Sequence, residues 1–131
     1  MSVYEAVTEG VVVRVTPTYL AHQSDPEGRR WVWAYQVEVE NRRDQPVHLL
    51  TRHWIITDAF GRIEEVRGPG VVGEQPVIEP GGLYRYTSGC PLGTSSGSMV
   101  GSYGMADAGG AVLTVEIPAF SLDSQRPRAV N

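Results

Sequence analysis

The sequence predicts an all-β fold in which two antiparallel sheets pack face to face. Three observations predict it. Apolar residues recur at alternate positions, as in Trp31, Trp33, Tyr35, Val37 and Val39 against Gln36, Glu38 and Glu40, a period that a helix would scramble. The 15 Gly and 9 Pro divide the 131 residues into short β-branched and aromatic runs. No run of ten residues carries a helical stripe, so two stacked sheets are the economical arrangement. With Cys90 as the one cysteine, the immunoglobulin cysteine pair is missing, which favours the fibronectin type III-like branch of this immunoglobulin-like architecture.

Taken in order, residues 11–16 form the first clear strand, closed by Pro17. Residues 31–40 form the strand with the alternation described above. A polar turn over residues 41–46 leads to a long strand over 47–57. Its phase conflicts with itself: Val47 and Leu49 have one parity, whereas Leu50, Trp54 and Ile56 have the other. Either both faces are covered or a bulge resets the register. Shorter strands are expected over 63–67, 83–87 after the Pro80-Gly81-Gly82 turn, 99–105, and 112–117 before Pro118. The segments over 21–30 and 68–82 are too long for tight hairpins and suggest Greek-key connections. A single domain over residues 1–124 follows, with fraying expected after Leu122 and a flexible tail at 125–131.

All 11 basic residues are Arg, against 15 acidic ones, and the formal charge of −4 disfavours a general grip on nucleic acid. No apolar stretch is long enough to span a membrane, and the first residues lack a signal peptide's basic and apolar regions. Cytoplasmic location is the default expectation, as a monomer or weak homodimer.

Few residues point to chemistry. His22, His48 and His53 are dispersed, so no metal site is expected, and Glu64, Glu65 and Glu74 make a weak carboxylate set because adjacent strand residues point apart. Ser88 or Cys90 would need a base such as His53 to arrive through folding; a small buried Cys is the commoner case. Residues 68–73, with Gly68, Gly70 and Gly73, fit the GxGxxG spelling, but Pro76 and Pro80 leave no room for the helix that dinucleotide binding requires. The alternatives are a structural loop, a protein-contact loop and a nest of amides for an anion. Arg52 stands amid Leu49, Leu50, Trp54, Ile55 and Ile56, so it needs a water route or a partner, either Glu65 or a ligand. Tyr19, Tyr84, Tyr86, Tyr103 and Phe120 are either core or surface anchors.

Several ordered motifs resemble one family closely, the bacterial ApaG proteins. They are Arg52-His53-Trp54-Ile55-Ile56-Thr57-Asp58, the run from Glu64-Glu65-Val66-Arg67-Gly68 to Gly73-Glu74-Gln75-Pro76, Tyr86-Thr87-Ser88-Gly89, Gly101-Ser102-Tyr103 with Met105, and Ile117-Pro118-Ala119-Phe120. The similarity extends over residues 11–122. It implies a fibronectin type III-like sandwich. Related domains fused to an F-box protein and to a polymerase delta-interacting protein look like protein-interaction modules. The family is also associated with cobalt and magnesium phenotypes, which for a chain without a spanning segment implies an indirect link. Its Gly-rich segment maps onto Gly68, Gly70 and Gly73 and implies a possible role with pyrophosphate or nucleotide; Pro69 weakens it by removing an amide.

The expectation is therefore a non-catalytic domain without cofactor. It recognises a protein partner through Arg52, His53, Trp54, Arg67 and Glu74, by an aromatic anchor and arginine bonds to an acidic group. The alternative is binding of a phosphate-containing small molecule, or a weak enzyme activity, at Gly68, Gly70 and Gly73.

Overall fold

The computed structural model describes residues 2–124. Among these, the chain forms strands β1 (Tyr4–Thr8), β2 (Val11–Tyr19), β3 (Trp31–Asn41), β4 (Val47–Asp58), β5 (Ile63–Pro69), β6 (Val77–Ile78), β7 (Leu83–Leu92), β8 (Ser96–Asp107) and β9 (Val112–Asp123), with one short 3-10 turn at Ala21–Gln23. They build two antiparallel sheets, ordered β1-β2-β3-β7 and β5-β4-β8-β9, with β6 added to β4. The sheets form a sandwich of the fibronectin type III and immunoglobulin kind. No described helix is long and apolar enough to cross a membrane.

The alternation in β3 faces as its sequence predicts. Trp33, Tyr35, Val37 and Val39 are buried in the core, and Trp31 packs partly buried against it. The phase conflict in β4 resolves as a bulge. Leu49 pairs with Met105 and Thr51 with Gly104, so Leu50 is an extra residue. That one insertion moves the inward parity from Val47 and Leu49 to Arg52, Trp54 and Ile56.

Two strands run past the prolines expected to end them, and the strand expected over 83–87 continues through Pro91. In β2, Pro17 pairs with Tyr35, and β1 begins only at Tyr4 opposite Val15, so its missing N–H faces a side with no β1 partner. In β7, Pro91 pairs with Val32 on an edge strand. In β9, Met99 pairs with Phe120 and Gly101 with Ile117, leaving Pro118 and Ala119 opposite the single residue Val100. A bulge is one of the few places where a sheet tolerates proline. Two strands, β1 and β6, lie outside the expected set. The first is joined to β2 by a tight turn through Glu9 and Gly10, both at positive φ.

The sandwich is closed along one side and open along the other. On the closed side β9 lies over β1 and β2: Tyr4 packs on Phe120, and the Glu116 amide donates to Thr8 Oγ1 at 3.0 Å. The Trp33 indole N–H donates to the Asp123 carbonyl at 3.1 Å, and Ser124 donates to Ser95, so order continues past Leu122, where fraying was expected. The expected tail at 125–131 lies outside the described residues.

Candidate functional site

On the open side the edge strands β5 and β7 belong to different sheets, and a cleft enters between them. Its deeper part is a cavity of about 290 Å³ walled by Tyr35, Arg52, Trp54, Val66, Ser88 and Cys90, among others. A shallower part of about 230 Å³ shares Ile56, Glu64 and Pro91 and extends to Arg62 and Leu92. The floor is aromatic. Trp54 meets Tyr35 edge-on at 5.3 Å and Phe120 edge-on at 6.0 Å between ring centroids.

The β4 bulge places Arg52 on the cleft wall beside this floor. Its Nη1 donates to the carbonyls of Pro69 at 2.8 Å and Gly70 at 3.0 Å. These bonds answer the need for a partner inferred from its apolar sequence neighbours. Glu65, one of the two expected partners, instead accepts from His53 Nε2 at 2.8 Å and Arg67 Nη2 at 3.4 Å on the outer face of the sheet. The Arg52 guanidinium lies against Gly68, its cross-strand partner. A Cβ there would stand 3.0 Å from Nη2 and 3.1 Å from Cζ. Gly68 is thus a seat for Arg52.

Residues 70–75 form a hairpin. Val71 and Glu74 exchange backbone bonds of 2.8 and 2.9 Å around Val72 and Gly73, whose φ angles of 43° and 82° mark a type I′ turn. The Gly70 amide donates to the Leu50 carbonyl at 2.8 Å, and Gln75 Nε2 donates to the same oxygen at 2.9 Å. The Glu74 carboxylate accepts from the Tyr84 hydroxyl at 3.0 Å. Pro69 has no amide, those of Gly70 and Val71 are spent, and the Pro69 and Gly70 carbonyls already hold Arg52. Of the three glycine amides in the anion-loop alternative, that of Gly70 is therefore already spent within the protein. Val72, a β-branched residue in the left-handed region, sits exposed at the tip.

The sheet separates the predicted site residues. Arg52 and Trp54 face the cleft, His53 and Arg67 face outward, and Glu74 lies on the hairpin beside Tyr84. Trp54 is 3% exposed, which corrects its role from surface anchor to buried floor. Tyr103 and Phe120 are likewise core, and the Tyr86 and Tyr103 hydroxyls hydrogen-bond to each other between the sheets. Burial raises the pKa of both phenols. Burial also pushes the Cys90 thiol up to about 11, so the side chain is a packed thiol rather than a ready thiolate. His53 lies on the far face of its sheet, paired to Glu65, and does not meet Cys90 or Ser88. Its hydrogen bond is the main reason the Glu65 carboxyl titrates below its ordinary value. The bulge puts His48 and His53 on one face, yet His48 Nε2 donates to the Gln75 carbonyl at 3.0 Å. Among the described residues no group of three His, Cys, Asp or Glu is placed to hold a metal.

The model of the ApaG domain matches residues 21–107. The chain belongs to this family. Curated relatives cover it nearly end to end. The ApaG protein of Rhodospirillum centenum is 60% identical over 96% of this chain and 97% of its own length, and that of Brucella anthropi is 55% identical over 95% and 96%. The crystal structure of the Bordetella pertussis ApaA protein superposes with a TM-score of 0.87 at 45% identity, covering 89% of this chain and 95% of that one.

Within this ApaG fold, two supporting features escaped the sequence reading. Asn41, fully buried, donates through Nδ2 to the Gln45 and Ile78 carbonyls and accepts from the Arg43 amide, tying the β3–β4 turn to β6. An Asn at a strand end before Arg-Arg-Asp reads as turn polarity, and nothing local signals its burial. The seating of Arg52 on Gly68 was also hidden, although a Gly inside a strand run is a signal of close approach.

Proposed function

We propose that this domain is a non-catalytic binding module that holds a protein partner at the open side of the sandwich. The cleft between β5 and β7 is the contact surface, bordered by Glu64 and Val66 on one side and by Ser88 to Pro91 on the other, with His53, Glu65 and Arg67 on the adjoining outer face of the same sheet. One observation carries the reading: the interior is sealed by β9 on one side, whereas on the other a cleft reaches down to Trp54 and Arg52. A concave surface combining an aromatic floor with an Arg suits recognition. The separation of Cys90 and Ser88 from His53 supports binding over nucleophilic catalysis.

The test is a photo-crosslinking residue placed at Glu64 or Arg67, with Glu116 on the outer face of β9 as the control, in cells that make the protein. Adducts of defined mass are expected from positions 64 and 67 and not from 116. Equal adducts from all three, or adducts from 116 alone, would refute the assignment. A titration with pyrophosphate followed by backbone amide shifts is expected to leave residues 68–73 unchanged; saturable shifts there would favour the phosphate alternative.

A further inference from the structure

Strand β7 is an edge whose free backbone groups can be identified. Pro91 pairs with Val32, and Val32 uses both its backbone groups away from β7: its amide donates to Ser24 Oγ at 2.9 Å and its carbonyl accepts from the Leu20 amide at 2.8 Å. This is therefore a non-hydrogen-bonded pair. In a regular antiparallel ladder the pairs Ala34 with Gly89, Gln36 with Thr87 and Glu38 with Arg85 share that parity. The N–H and C=O groups of Arg85, Thr87 and Gly89 consequently project from the free edge, where no described residue pairs with them.

Edge strands are ordinarily blunted by charge. The other strand flanking the cleft carries Glu64, Glu65 and Arg67 and ends in Pro69, whereas residues 86–90 of β7, Tyr-Thr-Ser-Gly-Cys, carry neither charge nor proline. The unprotected edge borders the cavity directly, through Ser88 and Gly89. A chain adding to this edge would send alternate side chains into the cleft. There they would meet apolar Trp54, Ile56 and Val66, and Arg52, of which only Nη1 is spent on protein hydrogen bonds.

We propose that the partner supplies an extended polypeptide segment that adds as a strand to β7, with an apolar residue over Trp54 and an acidic residue on the same face against Arg52. The inference rests on the binding-module reading and specifies its ligand. A peptide strand gains affinity from main-chain bonds and selectivity from alternate side chains. A second copy of this chain fits less well: its own β7 would present Ser88 and Cys90 on that face, neither acidic nor long enough to fill the cavity.

The probe is a displayed library of random 12-residue peptides selected against the full chain. Selected peptides are expected to carry an apolar and an acidic residue at alternate positions, and to slow hydrogen exchange at the Thr87 and Gly89 amides by about tenfold or more. Changing the peptide's acid to its amide should weaken binding about tenfold. Thr87→Pro removes one edge N–H on a strand that already accommodates Pro91, and it should weaken binding at least about tenfold with thermal unfolding unchanged. If that variant fails to fold, the exchange pattern of the wild-type complex decides alone.

The proposal is overturned if no peptide is selected, if peptides leave Thr87 and Gly89 unprotected, if folded Thr87→Pro binds equally well, or if a dimer of this chain protects those amides without peptide. Crosslinks from Arg67 that persist in folded Thr87→Pro would sink strand addition while sparing the binding module. Their absence from the wild-type protein would sink both.

Discussion

Removing the Arg52 guanidinium should free the Gly-rich hairpin while leaving the sandwich folded. Two charge-assisted bonds from Nη1, to Pro69 and Gly70, tie the start of the hairpin to β4. Discounting each for the partial exposure of the group, to between about 1 and 1.5 kcal/mol, Arg52→Ala should cost about 2–3 kcal/mol of hairpin closure. The assay is hydrogen exchange at the Gly70, Val71 and Glu74 amides, which close on Leu50, Glu74 and Val71 respectively. A loss of that size accelerates their exchange by roughly 30- to 150-fold. Gly68 supplies an independent route to the same state. Gly68→Ala places a methyl about as near the guanidinium as it can tolerate and should have a small effect, whereas the larger Gly68→Val should displace the group and approach the Arg52→Ala rates. Wild-type exchange in Arg52→Ala would refute the tether. Fast exchange in Arg52→Ala with none in Gly68→Val would refute the seat.

Four further outcomes are expected. Asn41→Ala leaves two carbonyls and an amide without their side-chain partner and should destabilise the fold by about 3 kcal/mol in urea unfolding; a change below about 1 kcal/mol would contradict its place as a tie. Trp33→Ala, which empties a fully buried indole site, should cost about 3–5 kcal/mol by the same measurement, and wild-type stability would contradict the inward face of β3. Val72→Asn relieves a β-branched side chain from φ of 43° without losing packing, so thermal unfolding should show a gain of about 1 kcal/mol rather than a loss. Because the folded Glu65 pKa lies below its unfolded value, the stabilisation from its pairing is present above the ordinary carboxylate range near pH 4.3 and fades as pH falls through the depressed value. Carboxyl titration by NMR should show that midpoint rising in His53→Ala, and an unmoved midpoint would exclude the hydrogen bond as its cause.

What was legible in the sequence was whatever depends on one strand at a time. The alternation of β3 assigned its inward face, and the parity conflict in β4 announced a bulge. The location of that bulge was not legible, because it depends on which β8 residues lie opposite. Yet it decides the site, since inserting Leu50 turns Arg52 inward and His53 outward. A surface patch combining Arg52, His53, Trp54 and Arg67 was a reasonable inference from proximity in sequence, but the sheet distributes it over two faces. The prolines misled in the same way. Pro17 and Pro118 look like strand ends in isolation, and each is accommodated by a neighbour's geometry: an uncovered edge and a bulge.

The location of the cleft follows from how the two sides of the sandwich are finished. Along one side the Pro118–Ala119 bulge lets β9 continue to Asp123, so that Phe120 reaches Tyr4 and the Asp123 carbonyl receives the Trp33 indole. Along the other side, no corresponding strand among the described residues lies between β5 and β7. The hairpin after β5 folds back toward Leu50, where Gln75 binds it to β4, and Glu74 reaches Tyr84 of β7 at that end of the opening. Arg52 is the hinge between these two facts, because the nitrogen that holds the hairpin back belongs to the side chain that lines the opening it leaves. A substitution that loosens the hairpin should therefore alter the cleft entrance as well, so binding there and exchange at Gly70 should change together across the Arg52 and Gly68 variants. Binding that stays constant while Gly70 exchange rises would place the contact surface away from the hairpin end of the cleft.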